Sequence, residues 1–485
     1  MSLSLTRGRM LATRLPVRSG GRFAANLPSA NILFIAAHVP LALLVFRFPA
    51  LATPHALLTF LIGCYWSISR GRMTNVAAVG AYIAGSEVLW RIGQSSIPWE
   101  SGKYATSAIF IISLLRNGHF RIPFLPLLYF LLLLPAISPV VMMDHYSLET
   151  IRKNLSFNLS GPLALMTCVW FFSHLKLTSM QLNRVFLSVI APTTAIAVFT
   201  LLSTLTAQNI NWASESNLVT SGGFGPNQVS GSLGLGTLMA LLFLLRATET
   251  WIKVVMFVVM VFLATQCALT FSRGGLYGVS GAAILAGFYL VRDRKARLKL
   301  MTIGALLFAV AIFVVIPRLE SLTEGAIITR FQDTKTAHRA DYVVSDLNAW
   351  SENPFLGVGV GESFRYNLRR SVSHTELTRL LSEHGLLGLS ALFLLLVAGW
   401  RSLVLARTNQ NRAVVAAMIG WSVLFMLDKA MRLVAPAFAF GLAFATIESD
   451  SRQPNPRPKP VTSHSFRRRR RATEGVLENS GLGPA

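Results

Sequence analysis

Apolar residues in this chain come in long unbroken blocks, not in the alternation of a half-buried strand or the narrow stripe of a surface helix. A helix crosses a bilayer with about 17 to 20 apolar residues. Blocks of that kind centre on 31–46, 51–68, 74–91, 104–115, 122–140, 159–175, 185–205, 227–245, 251–270, 276–291, 300–316, 385–400, 413–428 and 430–447. The pattern predicts an all-α polytopic integral membrane protein with about 12–14 transmembrane helices, the block at 104–115 and the last pair being the weakest. Between 316 and 385 the blocks stop, which predicts one large loop containing short helices. The division follows: a basic segment 1–30, transmembrane helices 31–316, the loop 317–384, C-terminal transmembrane helices 385–447, and a basic tail 448–485.

Composition agrees, because 53% hydrophobic and 14% charged residues with a mean hydropathy of +0.52 exclude a soluble globule. Charge adds orientation. Of the formal +24, five arginines lie in the first 22 residues and eight basic residues between Arg452 and Arg471, without an acid in either stretch. The basic loops "SRGR", "RNGHFR", "HLKLTSMQLNR", "VRDRKARLK" and "RSLVLARTNQNR" alternate with poorly charged ones. By the positive-inside rule both termini are expected in the cytoplasm and the 317–384 loop on the non-cytoplasmic side. Charge placed in tails and at span ends points to membrane lipids as partners and not to nucleic acid. The first thirty residues lack the apolar core of a cleavable signal peptide. The proline-rich, basic tail is expected to be disordered. Cys64, Cys168 and Cys267 sit inside apolar blocks without CxxC spacing and read as small buried hydrophobes.

The candidate chemistry lies in and beside the long loop. Seven basic and seven acidic residues fall between Pro317 and Ser373, together with "NPFLGVGVGES", a turn-rich stretch suited to close backbone approach. It lacks the GK[ST] ending of a P-loop. Further on, Ser373 followed three residues later by Glu376 has the form of a capping box, which puts His374 at the first helical position. Gly385 marks where that helix stops or bends. No His/Cys/Asp cluster has metal-ligand spacing, and no closely spaced carboxylate pair stands out.

Four pieces in order carry a resemblance: "FSRGG" (271–275) at a span end, "HRADYVVSDLNAW" (338–350), "NPFLGVGVG" (353–361) and "SHTELTRLLSEHGLLGL" (373–389). With "GGFGPNQVSGSLGLG" (222–236) and "AYIAGSEVLWR" (81–91), the chain resembles the O-antigen ligase and O-antigen polymerase family of bacterial membrane glycosyltransferases. Members often carry His-Asn where this chain has His374 and Thr375, so Thr375 inherits no role.

The resemblance implies a multi-pass enzyme of the bacterial cytoplasmic (inner) membrane that takes glycan from a polyprenyl-diphosphate carrier. The acceptor is a glycan or a lipid, in lipopolysaccharide, exopolysaccharide or other surface polysaccharide biosynthesis. Ligation and polymerisation both remain open. Such chemistry needs cations for the leaving diphosphate and a base for the acceptor hydroxyl. Arginine suits the first task through its bidentate fork, which nominates Arg273, Arg339 and Arg91. Arg91 also stands four residues after Glu87, the spacing of a structural ion pair. His374 is the candidate base, with Glu362 or Glu376 next in line. Glu376, Asn227, Asp428 and Arg432 are candidate supporting or acceptor-side residues, and "LDKAMR" (427–432) also reads as a structural network of Asp428 with Lys429 and Arg432. His338 and His384 read as loop residues without a role. No cofactor and no metal ion is expected. The alternative from another class is a membrane transporter of lipid-linked sugars or other anions.

Overall fold

The computed structural model describes residues 27–143, 146–212, 215–333, 339–367 and 373–448. His338 and nearly all of the basic terminal segments lie outside the described residues. The helices are α1 (Leu27–Ala36), α2 (His38–Arg47), α3 (Ala52–Ile68), α4 (Met73–Ile92), α5 (Ser101–Arg116), α6 (Phe124–Leu131), α7 (Ile137–Val141), α8 (Leu148–Ser173), α9 (Ser179–Thr206) and α10 (Pro226–Arg246). They continue as α11 (Thr250–Leu269), α12 (Arg273–Leu290), α13 (Arg294–Val310), α14 (Ile316–Leu322), α15 (Ala326–Gln332), α16 (Arg339–Glu352), α17 (Glu376–Leu405), α18 (Asn409–Asp428) and α19 (Ala435–Leu442). A two-residue parallel pairing, β1 (Lys176–Leu177) with β2 (Thr446–Ile447), is the strand content among the described residues. The protein is an all-α polytopic membrane protein. Ten of its helical segments, among the described residues, are long and apolar enough to cross a membrane.

The bundle has a centre and a rim. In α9 and α10, 89% of the most apolar stretch is buried, whereas none of the most apolar stretch within Arg294–Leu322 is. Hydrophobicity all round suits both places, since lipid is as apolar as a protein core. Small residues then decide which helices approach closely. A Cβ on Gly275 would lie 2.2 Å from the Ser230 carbonyl oxygen, and one on Gly274 would collide with the Asp428 carboxylate. This pair of glycines after Arg273 therefore seats α12 against α10 and α18.

Several expectations change. The block at 430–447 holds only the eight-residue α19, about 12 Å long at 1.5 Å per residue and too short to cross the hydrocarbon alone. The loop ends earlier than 384: α17 begins at Glu376 and runs on to Leu405, so His384 is helical and fully buried, its Nδ1 3.0 Å from the Leu133 carbonyl oxygen. The cap of α17 is Thr375, whose hydroxyl oxygen accepts from the Thr378 N–H at 3.2 Å. Ser373 does not form the expected capping box, because its hydroxyl donates to Asp346 of α16. A carboxylate on a neighbouring helix outcompeted the local backbone N–H. His374 thus precedes the cap.

Gly385 does bend α17, with φ 60° and ψ −141°. The bend frees the Ser382 and Glu383 carbonyls and the Leu386 N–H, all deep in the protein. The glycine-rich loop satisfies them: Val358 N–H donates to Ser382 (2.9 Å), Gly359 N–H to Glu383 (3.2 Å), and Leu386 N–H to Pro354 (2.8 Å). Unpaired backbone groups at this depth cost several kcal/mol each, on the order of the water-to-hydrocarbon transfer penalty. The close backbone approach expected of "NPFLGVGVG" is therefore to the chain's own kinked helix.

Candidate functional site

Four loops meet at one end of the bundle. Arg91, on the last turn of α4, is their junction. Its guanidinium pairs with Glu87 at 2.6 Å and donates to Gln228 Oε1 at 2.7 Å and to the carbonyls of Trp99 and Arg432, both at 2.9 Å. The other Glu87 oxygen accepts from the Val434 N–H at 2.7 Å. The i,i+4 pair foreseen for Glu87 and Arg91 thus clamps the 93–100 turn, the start of α10 and the 429–434 loop together.

Beneath it lies a buried charge triad that the sequence reading missed. Arg379 is fully enclosed and pairs with Glu376 at 2.5 Å and Glu383 at 2.8 Å, on the i−3 and i+4 positions of the same helix face. Glu376 also accepts from the Met431 N–H at 3.0 Å, and Glu383 from the Ser363 hydroxyl at 3.0 Å. One ion set therefore ties α17 to the 429–434 loop and to the segment after the glycine-rich loop. Asn227 accepts from the Ser272 hydroxyl at 2.7 Å, and its carbonyl takes the Lys429 ammonium at 2.6 Å. Lys429 pairs with Asp428 at 2.9 Å, half of the network expected for "LDKAMR". Arg432 turns elsewhere: it lies 5.8 Å from the Phe157 ring centre and reaches the Ser373 carbonyl at 3.4 Å.

Arg273 opens α12 two residues after Phe271, a non-glycine residue held at φ 57°. The Arg330 guanidinium bonds the Phe271 carbonyl at 3.0 Å, and Arg273 itself donates to the Asp333 carbonyl. Backbone held in the left-handed region is strained and needs such support. The effect is to fix the start of α12 against the loop helices α14 and α15.

His374 is placed by α16. Its ring stacks on Tyr342 with centroids 4.3 Å apart and planes at 12°. Tyr342 stands one turn after Arg339, the first residue of α16. One turn further, Asp346 is buried and accepts from the Ser373 hydroxyl and from Thr378 at 2.5 Å. Burial pushes the Asp346 carboxyl above its ordinary range, against the lowering pull of those hydroxyl bonds. Glu362 is saturated by Arg365 at 2.6 Å, Tyr146 at 3.0 Å and Asn154 at 3.3 Å.

The fold therefore links His374, Arg432, Arg91 and Glu376 through a short series of bonds, with Asn227 and Asp428 joined by Lys429 beside them. Arg273 and the first turn of α16 approach from the long-loop side. The sequence reading missed Arg379, Glu383, Gln228 and Lys103. Lys103 is fully buried, with no hydrogen-bond partner among the described residues for its Nζ. Three of the four are charged residues inside or beside apolar blocks, a signal visible in sequence. Among the described residues no group of His, Cys, Asp and Glu is arranged to hold a metal ion.

No curated protein matches the chain. Residues 258–393 match the family model described as O-Antigen ligase; the match spans α12, the loop helices, the glycine-rich loop and His374, and in that stretch the chain is similar to that family.

Proposed function

We propose that the protein is a metal-independent glycosyltransferase that uses a polyprenyl-diphosphate glycan on the periplasmic face of the bacterial inner membrane, with both termini in the cytoplasm. The observation that supports this reading is the linkage of His374 to Arg432 and Arg91 at one bundle end, with the His374 ring stacked on Tyr342 of α16, the helix that Arg339 opens. His374 accepts the proton of the acceptor hydroxyl. The freed oxygen attacks the anomeric carbon of the donor glycan, and the bond from that carbon to the diphosphate breaks with its electron pair going to the diphosphate. Arg273 and Arg339 receive the developing charge. Arg91 spends its donors on protein groups and serves as a positioning residue in this scheme. Glu376 serves the same end through Arg379 and the Met431 N–H. A diphosphate held by two guanidinium forks needs no divalent ion.

The test is a reconstituted assay with polyprenyl-diphosphate glycan and acceptor in the presence of chelator. The expected outcome is a new glycosidic bond with release of the carrier diphosphate, and a large loss of rate in Arg273→Lys and Arg339→Lys. Intact donor recovered on the far side of the vesicle, with no product, overturns the reading in favour of a transporter.

A further inference from the structure

The turn between α4 and α5 encloses a cavity of about 290 Å³ beside the site described above. Its wall is unusual for a span end. Trp99 is 42% exposed, with the Arg91 guanidinium 4.2 Å from its ring centre and Phe224 at 5.6 Å. Gln94 and Ser95 also line it, and their side chains form no bond to any described residue. Gln94 is held at φ 51°, a conformation that costs a non-glycine residue energy. The Glu87 carboxylate completes the wall.

We propose that this cavity is a saccharide subsite, taking one sugar residue of the donor or acceptor glycan; the proposal rests on the glycosyltransferase reading. The lining discriminates among ligands. A lipid tail would leave the Gln94 amide and the Ser95 hydroxyl unsatisfied. An anion would find no uncommitted cation among the lining residues, because Arg91 already donates to four protein acceptors. A sugar presents an apolar C–H face to an indole and hydroxyls to amide and hydroxyl groups. The size lies at the lower edge of small-molecule pockets, which start near about 300 Å³. Arg91 bonds the Arg432 carbonyl, and Arg432 bonds the Ser373 carbonyl next to His374. A sugar held here is thus off the reacting centre, and it aligns a longer glycan instead of reacting.

The strained backbone separates a binding role from a structural one. Gln94→Gly removes the amide and suits the positive φ, so the purified full-length variant is expected to melt at a higher temperature than wild type. At the same time KM for one of the two glycans rises about 2- to 12-fold, the range for one lost hydrogen bond. Trp99→Ala raises the same KM about 2- to 12-fold through the lost ring contact, and Trp99→Phe recovers most of it. A rise for the acceptor alone assigns the subsite to the acceptor, and a rise for the donor alone to the donor glycan. If Gln94→Gly leaves both KM values unchanged while the wild type turns over, the subsite is overturned and the glycosyltransferase reading stands. Wild-type protein that transfers no glycan overturns both.

Discussion

The two ends of this bundle handle charge in opposite ways. At the end bearing Arg91, the two cations at the junction are enclosed and committed, while Arg152, Lys153 and Arg365 around them are exposed: Arg91 and Arg379 have side chains only 6% and 4% exposed, and each answers a carboxylate at 2.6 Å or less. At the other end, Arg70, Arg72, Arg116, Arg121 and Arg184 are exposed. Contacts there are light, such as the Gly71 N–H to Asn117 at 2.8 Å, the Arg116 guanidinium to the Ile68 carbonyl at 3.2 Å, and the short pairing of β1 with β2. An exposed arginine at a span end costs little and serves orientation and anionic lipid. A buried ion pair is expensive to desolvate and is weak as a source of stability, so its persistence points to a task. Sign of charge is therefore a poor guide to chemistry in this protein, and burial is a good one.

That contrast can be broken at several points. The largest effect is expected for His374→Ala, which should lower turnover by about 10²- to 10⁴-fold, the range for losing positioned acid–base catalysis. Membrane insertion and abundance should stay intact. Wild-type turnover in the purified variant would move the base elsewhere, although Glu362 and Glu376 are both already committed to protein partners.

Next comes Arg379→Leu. It strands Glu376 and Glu383 without their cation, a loss of about 3–5 kcal/mol typical of breaking a buried pair. Thermal unfolding and membrane abundance should report it directly. The same readouts at wild-type level would show the triad to be dispensable.

A smaller, pH-dependent effect is expected at Asp346. Its folded pKa is raised by burial, so the group's contribution to stability is fully present below its unfolded pKa of about 3.9 and is lost as pH rises through the folded value. Melting curves of wild type and Asp346→Asn should diverge over that window, the variant losing the slope. Parallel curves would sink the assignment. Because Ser373 and Thr378 both donate to this carboxylate, the variant should also loosen His374 and slow turnover mildly at neutral pH.

The smallest effect belongs to the opposite end. Arg184, exposed and 3.4 Å from Asn75, is expected to tolerate alanine with a change in Tm under about 2 °C and unaltered turnover. A loss there comparable with that of Arg379→Leu would erase the distinction between the ends.

Much of the site was legible in the chain, but unevenly. Arg91 with Glu87, the kink at Gly385 and the Asp428–Lys429 pair follow from spacing within one element, and each is present. The cap of α17 was misplaced by two residues. Ser373 and Thr375 are equally good caps locally, and the choice was made by Asp346, 27 residues away from Ser373. Arg379 escaped notice because its partners are obvious only when Glu376 and Glu383 are seen facing inward. The cavity at the α4–α5 turn needed Trp99, Arg91 and Gln94 together, which no periodicity announces.

The sequence by itself determined that this is an all-α membrane protein, where most of its helices run, and that the long interval before 385 carries the unusual residues. Those are local facts: an apolar block of sufficient length must become a helix in lipid, where each backbone group needs an internal partner. Only the tertiary structure decided which helices lie at the centre, which glycine loop mends the break in α17, and which charges are enclosed. Lipid and protein interior are equally apolar, so hydrophobicity cannot tell a buried helix face from an exposed one. Close approach at Gly274 and Gly275, and the pairing of Arg91 and Arg379 with carboxylates and carbonyls across loops, make that choice.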